Sequence, residues 1–471
     1  MKKTLAIFST LMLSACVSSP STTPQVATVA PETLGLGADA APLASDNWWS
    51  AFNDPQINRL VAVMEKDSPT LAGALARMRS AQAELSVNEA ADLPQVSLDG
   101  NEQRLQLSKD YIIPPPYAGT WRWMGQLSAN LTWNLDFWGK QAALIEKARD
   151  KAQAAALDAA AARLALSGAL AQSYVALMLT WQEGDIADAS VAERTQILSL
   201  TQSRFDSGLE NESAVEQAKA LLSDAKVSAQ RIAVQRDVNI HALVALTGQG
   251  AVAYAEITRP MPKLDAVLPL PASLPADLLS RRPDILAARA RIDAATKSRE
   301  AAHADFYPDI NLTALIGFQA IGLANLLSAN SFTVGAGPAI HLPIFDAGKI
   351  RAQYAGATAD LDEAVAEYNG TVLNAIKQTA DALSQVKGLQ GQLRDQQEAL
   401  ASATRAYDLA AERYRLGLAP QIPVLNAEAS LLSAREQMAA LAAQSVTQRV
   451  TLLLSVGGSF RADTMTLAKQ D

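Results

Sequence analysis

Arg204-Phe205-Asp206-Ser207-Gly208-Leu209 returns about 210 residues later as Arg413-Tyr414-Arg415-Leu416-Gly417-Leu418. At the same offset Val215 and Leu222 match Val424 and Leu431, while Leu135 and Gly139-Lys140 match Ile344 and Gly348-Lys349. Upstream, Pro69 and Pro94 match Pro283 and Pro308, now five residues further apart. The chain is therefore one structural unit written twice, with a stretch of variable length between Pro94 and Gly139. Recognising the repeat first changes how every segment is read.

Working outward from the repeated turn, two proline-free stretches lead into it, Phe137 to Phe205 and Gly348 to Leu418. Each can form a helix of roughly 65 residues, about 100 Å long at about 1.5 Å per residue. Periodic segments of that length point to a coiled coil or helical array, not a compact domain. In the second stretch Leu361, Val365, Tyr368, Val372, Ile376, Leu383 and Val386 follow a three-and-four spacing, a narrow apolar seam set among alanines. Gly208 and Gly417 are placed to release each helix through a left-handed turn. A second helix follows each turn, roughly Glu212 to Leu246 and Pro423 to Val456, which makes two antiparallel helical hairpins. Shorter helical segments, about Pro55 to Ala91 and Pro275 to Asp305, precede the hairpins. In the latter, Pro283 suits the first turn and Asp284 the positive end of the helix dipole.

Between Pro94 and Gly139 the helical period vanishes. Leu127, Ala129, Leu131, Trp133 and Leu135 alternate with mostly polar residues, as do Ile310, Leu312, Ala314, Ile316 and Phe318, then Phe332, Val334, Ala336, Ile340, Leu342 and Ile344. Period two over ten or so residues marks strands with one apolar face, long enough for a tilted bilayer crossing. Two β-hairpins, about 95–137 and 309–344, give four strands. In lipid, each unpaired backbone group at a sheet edge costs several kcal/mol, so four strands cannot stand there alone. Several chains must pool them, and three copies would supply twelve. Tyr117, Trp121, Trp123, Trp133, Phe137 and Trp138 gather around the first hairpin as interfacial belts do. The polar, proline-containing Lys109–Gly119 segment is expected as an external turn.

The N-terminus sets the compartment. Lys2 and Lys3 precede an apolar run from Leu5 to Leu13, too short to span as a mature helix, which ends in Leu13-Ser14-Ala15-Cys16. Residues 1–15 read as a lipoprotein signal and Cys16, the only cysteine, as the acylation site. More than one acyl chain is needed for stable anchoring. Residues 16–47, rich in Ser, Thr, Pro and Ala, read as an extended tether, and the folded part starts near Trp48-Trp49. The first repeat then covers 48–250, a proline-rich linker 251–274, the second repeat 275–458, and a tail 459–471.

Composition excludes several functions. Charged residues are 19% and the formal net charge is −8, with no basic surface for nucleic acid. His241, His303 and His341 share no metal-ligand spacing, and no phosphate loop or nucleophile elbow is present. Neither a metal, a cofactor nor a catalytic set is expected, so the chain reads as no enzyme.

The leader, Arg281-Arg282-Pro283-Asp284-Ile285, Asp305-Phe306-Tyr307-Pro308, Pro343-Ile344-Phe345-Asp346-Ala347-Gly348 and Arg413-Tyr414-Arg415-Leu416-Gly417 together resemble the outer membrane efflux proteins. More narrowly they resemble the lipoprotein branch serving resistance–nodulation–division pumps. That resemblance covers essentially the whole mature chain. It implies an α+β membrane protein: a homotrimeric channel-tunnel whose protomers share a twelve-stranded outer-membrane barrel, continued by a long α-helical periplasmic tube. An inner-membrane pump and a periplasmic adaptor would dock at the far end, and small toxic molecules would pass by conduction, without chemistry. Type I secretion and metal efflux are alternatives within the family. A non-pore, adhesin-like coiled-coil lipoprotein is one outside it.

The resemblance also implies a gate at the periplasmic helical turns. Many members carry carboxylates just after the second turn, but Pro423 and Asn426 stand at those positions here. Gate candidates are therefore Glu210, Glu212 and Glu428 with Asn426, or an apolar constriction of Val424 and Leu425. Arg204, Arg413 and Arg415 are expected to cap carbonyls or pair across hairpins, with plain surface charge as the alternative. Gly208, Leu209, Gly417 and Leu418 are expected to form the surface that the adaptor recognises.

Overall fold

In the computed structural model of the chain, residues 22–37, 44–110, 112–261, 268, 270–275 and 277–461 are described. The signal, Cys16 and residues 462–471 lie outside them. Helices α1 (Pro55–Asp67) and α2 (Pro69–Ala91) lead into strands β1 (Gln95–Gln106) and β2 (Trp121–Asn134). The hairpin of α3 (Lys140–Asp206) and α4 (Glu212–Leu246) follows. The second half repeats the order: α5 (Leu278–Arg281), α6 (Pro283–Ala304), β3 (Asp309–Ile321), β4 (Phe332–His341), α7 (Lys349–Arg415) and α8 (Gln421–Ser455). Both long helices have 67 residues and both return helices 35.

The helical segments expected at about Pro55 to Ala91 and Pro275 to Asp305 are each divided at one of the matching prolines, Pro69 and Pro283. A proline disfavours the α conformation in the residue before it. Ser68 (ψ 120°) and Arg282 (ψ 121°) are accordingly extended. Beside these breaks lies a second repeated feature, whose contacts only the structure discloses. Gly248 (φ +78°) and Gly457 (φ +93°) close the two return helices. A Cβ on Gly248 would overlap the Asp67 carbonyl, and one on Gly457 the Arg281 carbonyl. Only glycine meets both demands, a left-handed backbone and direct contact with another main chain.

The chain forms two compact units. The first holds Arg77–Ala155 and Ala288–Tyr368 with residues up to Thr28. Its centre is one antiparallel sheet of order β1-β2-β3-β4, so β1 and β4 are its open edges. Register aligns the side chains in rows. Leu98, Ala129, Ile316 and Val334 stand opposite one another, as do Val96, Leu131, Ala314 and Ala336. The alternate rows are polar or small: Gln95, Thr132, Thr313 and Gly337, then Asp99, Ser128, Gly317 and Thr333. On that face Asp99 accepts hydrogen bonds from Asn130 Nδ2 (2.6 Å) and Ser97 Oγ (2.9 Å). β4 stops at His341, so Leu342 and Ile344 lie beyond the strand expected to include them, and Pro343 has no N–H to continue a ladder. Both long helices are started by an aspartate: Asp136 accepts from Ala142 N (2.8 Å) and Asp346 from Ile350 N (2.7 Å).

The second unit holds Val29–Ala76, Ala156–Ala287 and the chain from Asn369. Its core joins Trp48, Trp49 and Phe52, from a 3-10 turn at Trp48–Phe52, to Ile57, Leu60, Val61 and Met64 of α1. Leu170, Tyr174 and Leu177 of α3 meet them, as do Leu243 of α4 and Val446, Val450 and Leu453 of α8. The four-and-three spacing on α3 and α8 is what places one face inward. A polar knot is buried within it. Asp54 caps α1 at Gln56 N (2.9 Å) and accepts from Tyr174 Oη (2.6 Å) and Met261 N (2.8 Å). Gln56 binds Thr258 through both its donor and its acceptor. Burial and the Asp54 hydrogen bond push the Tyr174 phenol well up.

The expected tether is docked where it is described. Asp362 Oδ1 accepts from Gln25 N (2.9 Å) and Val26 N (3.0 Å). Asn369 Oδ1 accepts from Val29 N (2.9 Å), and Gly37 N donates to Leu274 O (2.8 Å). Extended backbone with unused N–H groups finds acceptors along α7, so these residues are a strap, not a free linker.

Candidate functional site: the paired helical turns

The two repeated turns have the same construction. Gly208 (φ +73°) and Gly417 (φ +76°) take the left-handed conformation after α3 and α7. Leu209 N donates to Arg204 O and Leu418 N to Arg413 O, each at 2.8 Å. That five-residue-back bond satisfies helix-end carbonyls as in a Schellman cap. The turns differ in how the next helix starts. Asn211 caps α4 by accepting from Ala214 N (2.9 Å), whereas Pro420 before α8 offers no side-chain cap.

Beneath the turns, α3 and α8 meet along a seam of heptad character. Arg194, Ile197, Thr201 and Arg204 share one face of α3; Gln421, Val424, Glu428, Leu431 and Arg435 share one face of α8. Ile197, Tyr414 and Val424 form an apolar cluster, with Leu425 packed against it. Thr201 Oγ1 lies 3.1 Å from Tyr414 Oη and accepts from Gln421 Nε2 (2.9 Å). Arg194 Nε donates to Glu428 Oε1 (2.9 Å) and its Nη1 to Leu221 O (2.7 Å), which links α3, α8 and α4. Glu428 is only 2% exposed. Burial pushes its carboxyl above the usual range, and the Arg194 hydrogen bond offsets only part of that. Arg435 pairs with Glu193 at 3.1 Å two turns further along α8.

The expected gate residues separate into distinct environments. Val424 and Glu428 are buried inside the protomer. The reason is their seam spacing, which turns them toward α3. Leu425 is half-buried beside them, and Glu212 and Asn426 are exposed. Glu210 lies 3.8 Å from Arg204 Nε, half shielded. Of the three arginines, Arg204 both caps and pairs. Its Nη1 donates to Tyr414 O (3.0 Å), and its guanidinium stacks 4.8 Å from the Tyr414 ring centroid. Arg415 pairs only with Glu412 of its own helix, and exposed Arg413 has no side-chain partner among the described residues. Both stand as surface charge in the protomer. They point away because Tyr414 between them takes the inward position. Leu209 (68%) and Leu418 (67%) stand in solvent, joined by Leu416 and Ile422, which sequence reasoning did not single out.

Arg194, Thr201 and Gln421 were also missed. In the register of the repeat, Thr201 corresponds to Ala410, so the repeat did not mark it.

No group of His, Cys, Asp and Glu among the described residues is arranged to hold a metal ion. His241 packs on Tyr254, and His303 sits among Phe306, Tyr307 and Tyr354.

Comparison with known proteins gives a consistent picture. The sequence profile described as outer membrane efflux protein matches residues 60–249 and 274–458, the two repeats. The fusaric acid resistance protein FusA of Burkholderia cepacia is 35% identical over 361 residues, 74% of this chain and 68% of that one. The pyoverdine export outer membrane protein OpmQ of Pseudomonas aeruginosa is 29% identical over 480 residues, all of both chains. Among solved structures, the outer membrane protein VceC of Vibrio cholerae superposes with a TM-score of 0.83 at 33% identity. The match covers 89% of this chain and all of that one.

Proposed function

Since this chain belongs to the outer membrane efflux protein family, we propose that three copies join edge to edge into one outer-membrane pore that serves as the exit duct of a tripartite efflux system. The observation that carries the reading is the sheet. The outer edges of β1 and β4 have no partner strand among the described residues, and Val96, Leu98, Ile316, Val334 and Ile340 on one face are each more than half exposed. Fully removing such a side chain from water contributes about 1.5–3 kcal/mol. An open edge in lipid costs several kcal/mol per unpaired group. With four alternating strands, β4 of one copy meets β1 of the next antiparallel, so a ring of copies closes without a mismatch.

The duct works by conduction. Polar rows such as Asp99, Asn130 and Gln126 would line the water-filled side, and the apolar rows would face acyl chains. Cys16 is the proposed acylation site that fixes each protomer to the same membrane. At the helical turns, Gly208, Leu209, Gly417 and Leu418 offer a surface for a periplasmic adaptor, which would connect to an inner-membrane pump of the resistance–nodulation–division type. The resting tip would be held shut by the seam, through Arg194–Glu428 and Thr201–Tyr414–Gln421, with Glu210, Glu212 and Asn426 near the opening. Cargo is proposed to be drugs or other small organic toxins, in line with relatives named for fusaric acid and pyoverdine.

Two measurements test this together. Purified protein should form ion-conducting channels in planar bilayers. Cells lacking the chain should become sensitive to compounds that its pump expels. Absence of conductance by well-folded, lipid-embedded protein contradicts the duct.

A further inference from the structure

The loop joining β3 to β4, residues 322–331, contains no charged side chain. The loop joining β1 to β2 contains Lys109 and Asp110. The uncharged loop does not project from the end of the hairpin. Gly322 (φ +92°) reverses the chain while its N–H still pairs with Trp123 O (2.7 Å), and 3-10 turns follow at Leu323–Asn325 and Ala329–Ser331. Ser331 Oγ closes the loop on Asn325 O at 2.7 Å. Leu326 folds back over Gly125, where a Cβ would come within 3.1 Å of its Cδ2. Gly125 lies on the same face of β2 as Trp123 and Leu127, and its partners across the two ladders are Ala320 of β3 and Glu102 of β1. Two small residues thus leave a notch in the apolar face, and Leu326 fills it.

The loop therefore lies on the face that carries Ile316 and Val334. Leu323 (53%) and Leu327 (72%) point outward from it, beside exposed Phe332, Trp121 and Trp123. The uncharged loop, flanked by tryptophans at one end of the sheet face and with Glu102 and Arg104 of β1 beside Gly125 and Trp123 on that face, matches the boundary between acyl chains and headgroups. We propose that this loop is immersed in the membrane, with Leu323 and Leu327 inserted among lipid acyl chains, while the charged β1–β2 loop stands in water. The proposal rests on the reading that the sheet spans a bilayer. The occupant is lipid because the surface continues the lipid-facing rows and not the open edges β1 and β4, where a second copy would join.

The test uses the full chain in lipid vesicles, with cysteine placed singly at Leu327, Asp110 or Ile316 and labelled with nitrobenzoxadiazole. The parent is labelled in parallel to account for Cys16. Quenching by nitroxide-bearing phosphatidylcholine is compared with quenching by aqueous iodide. Leu327 should behave as Ile316 does, with blue-shifted emission, strong quenching by the nitroxide lipid and loss of iodide quenching; Asp110 should behave oppositely. Gly125→Leu should expel Leu326 and restore iodide quenching at Leu327. Iodide quenching of Leu327 equal to that of Asp110 overturns the proposal. So does protection from both quenchers, which would mean that another copy covers the loop. Failure of lipid quenching at Ile316 as well would sink the spanning reading itself, whereas failure at Leu327 alone sinks only the loop's immersion.

Discussion

Removing the Glu428 carboxylate tests how the helical tip is held. Glu428→Ala leaves Arg194, 13% exposed, with one partner, the Leu221 carbonyl. Breaking a buried pair from one side typically costs about 3–5 kcal/mol because the remaining charge is stranded. The retained carbonyl bond and partial exposure reduce this to about 2 kcal/mol. Glu428→Gln behaves differently. Burial already raises the folded carboxyl above its unperturbed value of 4.5, so the ionised form is the disfavoured one inside the seam. A neutral isostere that still accepts from Arg194 should stay within about 1 kcal/mol of the parent. Linkage fixes the sign with pH. A carboxyl with a raised folded value contributes its stability at low pH and loses it as pH rises from 4.5 through the folded value. The assay is hydrogen–deuterium exchange over 421–435 in the lipid-embedded channel. Glu428→Ala should speed exchange there roughly thirtyfold, since each 1.4 kcal/mol is about a factor of ten. Glu428→Gln should leave it close to parent and flatten its pH dependence. Unchanged exchange in Glu428→Ala, or equal damage from both substitutions, would refute the reasoning.

Other consequences concern the frame and the sheet. Gly457→Ala demands a left-handed alanine and overlap with the Arg281 carbonyl; it should cost more than about 2 kcal/mol and lower the thermal midpoint of the assembled protein, as should Gly248→Ala. Arg204→Ala removes the cap on Tyr414 O and the stacked cation; a loss of about 1–2 kcal/mol should appear as faster exchange at the end of α7. Ile316→Arg puts a charge on the apolar rows and should reduce outer-membrane assembly, at about 2–4 kcal/mol near the bilayer midplane, whereas Thr313→Arg on the opposite rows should assemble normally.

The parts legible in the sequence were those with a long period or an exact recurrence. Proline-free stretches of helical period gave both hairpins, and Arg-aromatic-x-x-Gly-Leu gave their turns to within a residue or two. The shared parity of Ile310, Leu312, Ala314, Ile316 and Phe318 gave the sheet face. Less visible were features that depend on contact between distant segments. Gly248 and Gly457 are single glycines until Asp67 and Arg281 come against them. The seam on α8 alternates polar and apolar residues, so Gln421 and Glu428 resembled solvent positions and their burial was hidden. The Leu323–Leu327 stretch reads as a loop by its Gly, Asn and Ser neighbours. Its return onto Gly125 depends on a notch made by two other strands.

The pooling of strands is tested most directly by the native mass of the purified protein in nanodiscs. Three copies in one stable assembly are expected. A stable single copy embedded in lipid, or a well-folded assembly whose strand count cannot close a ring, would contradict it.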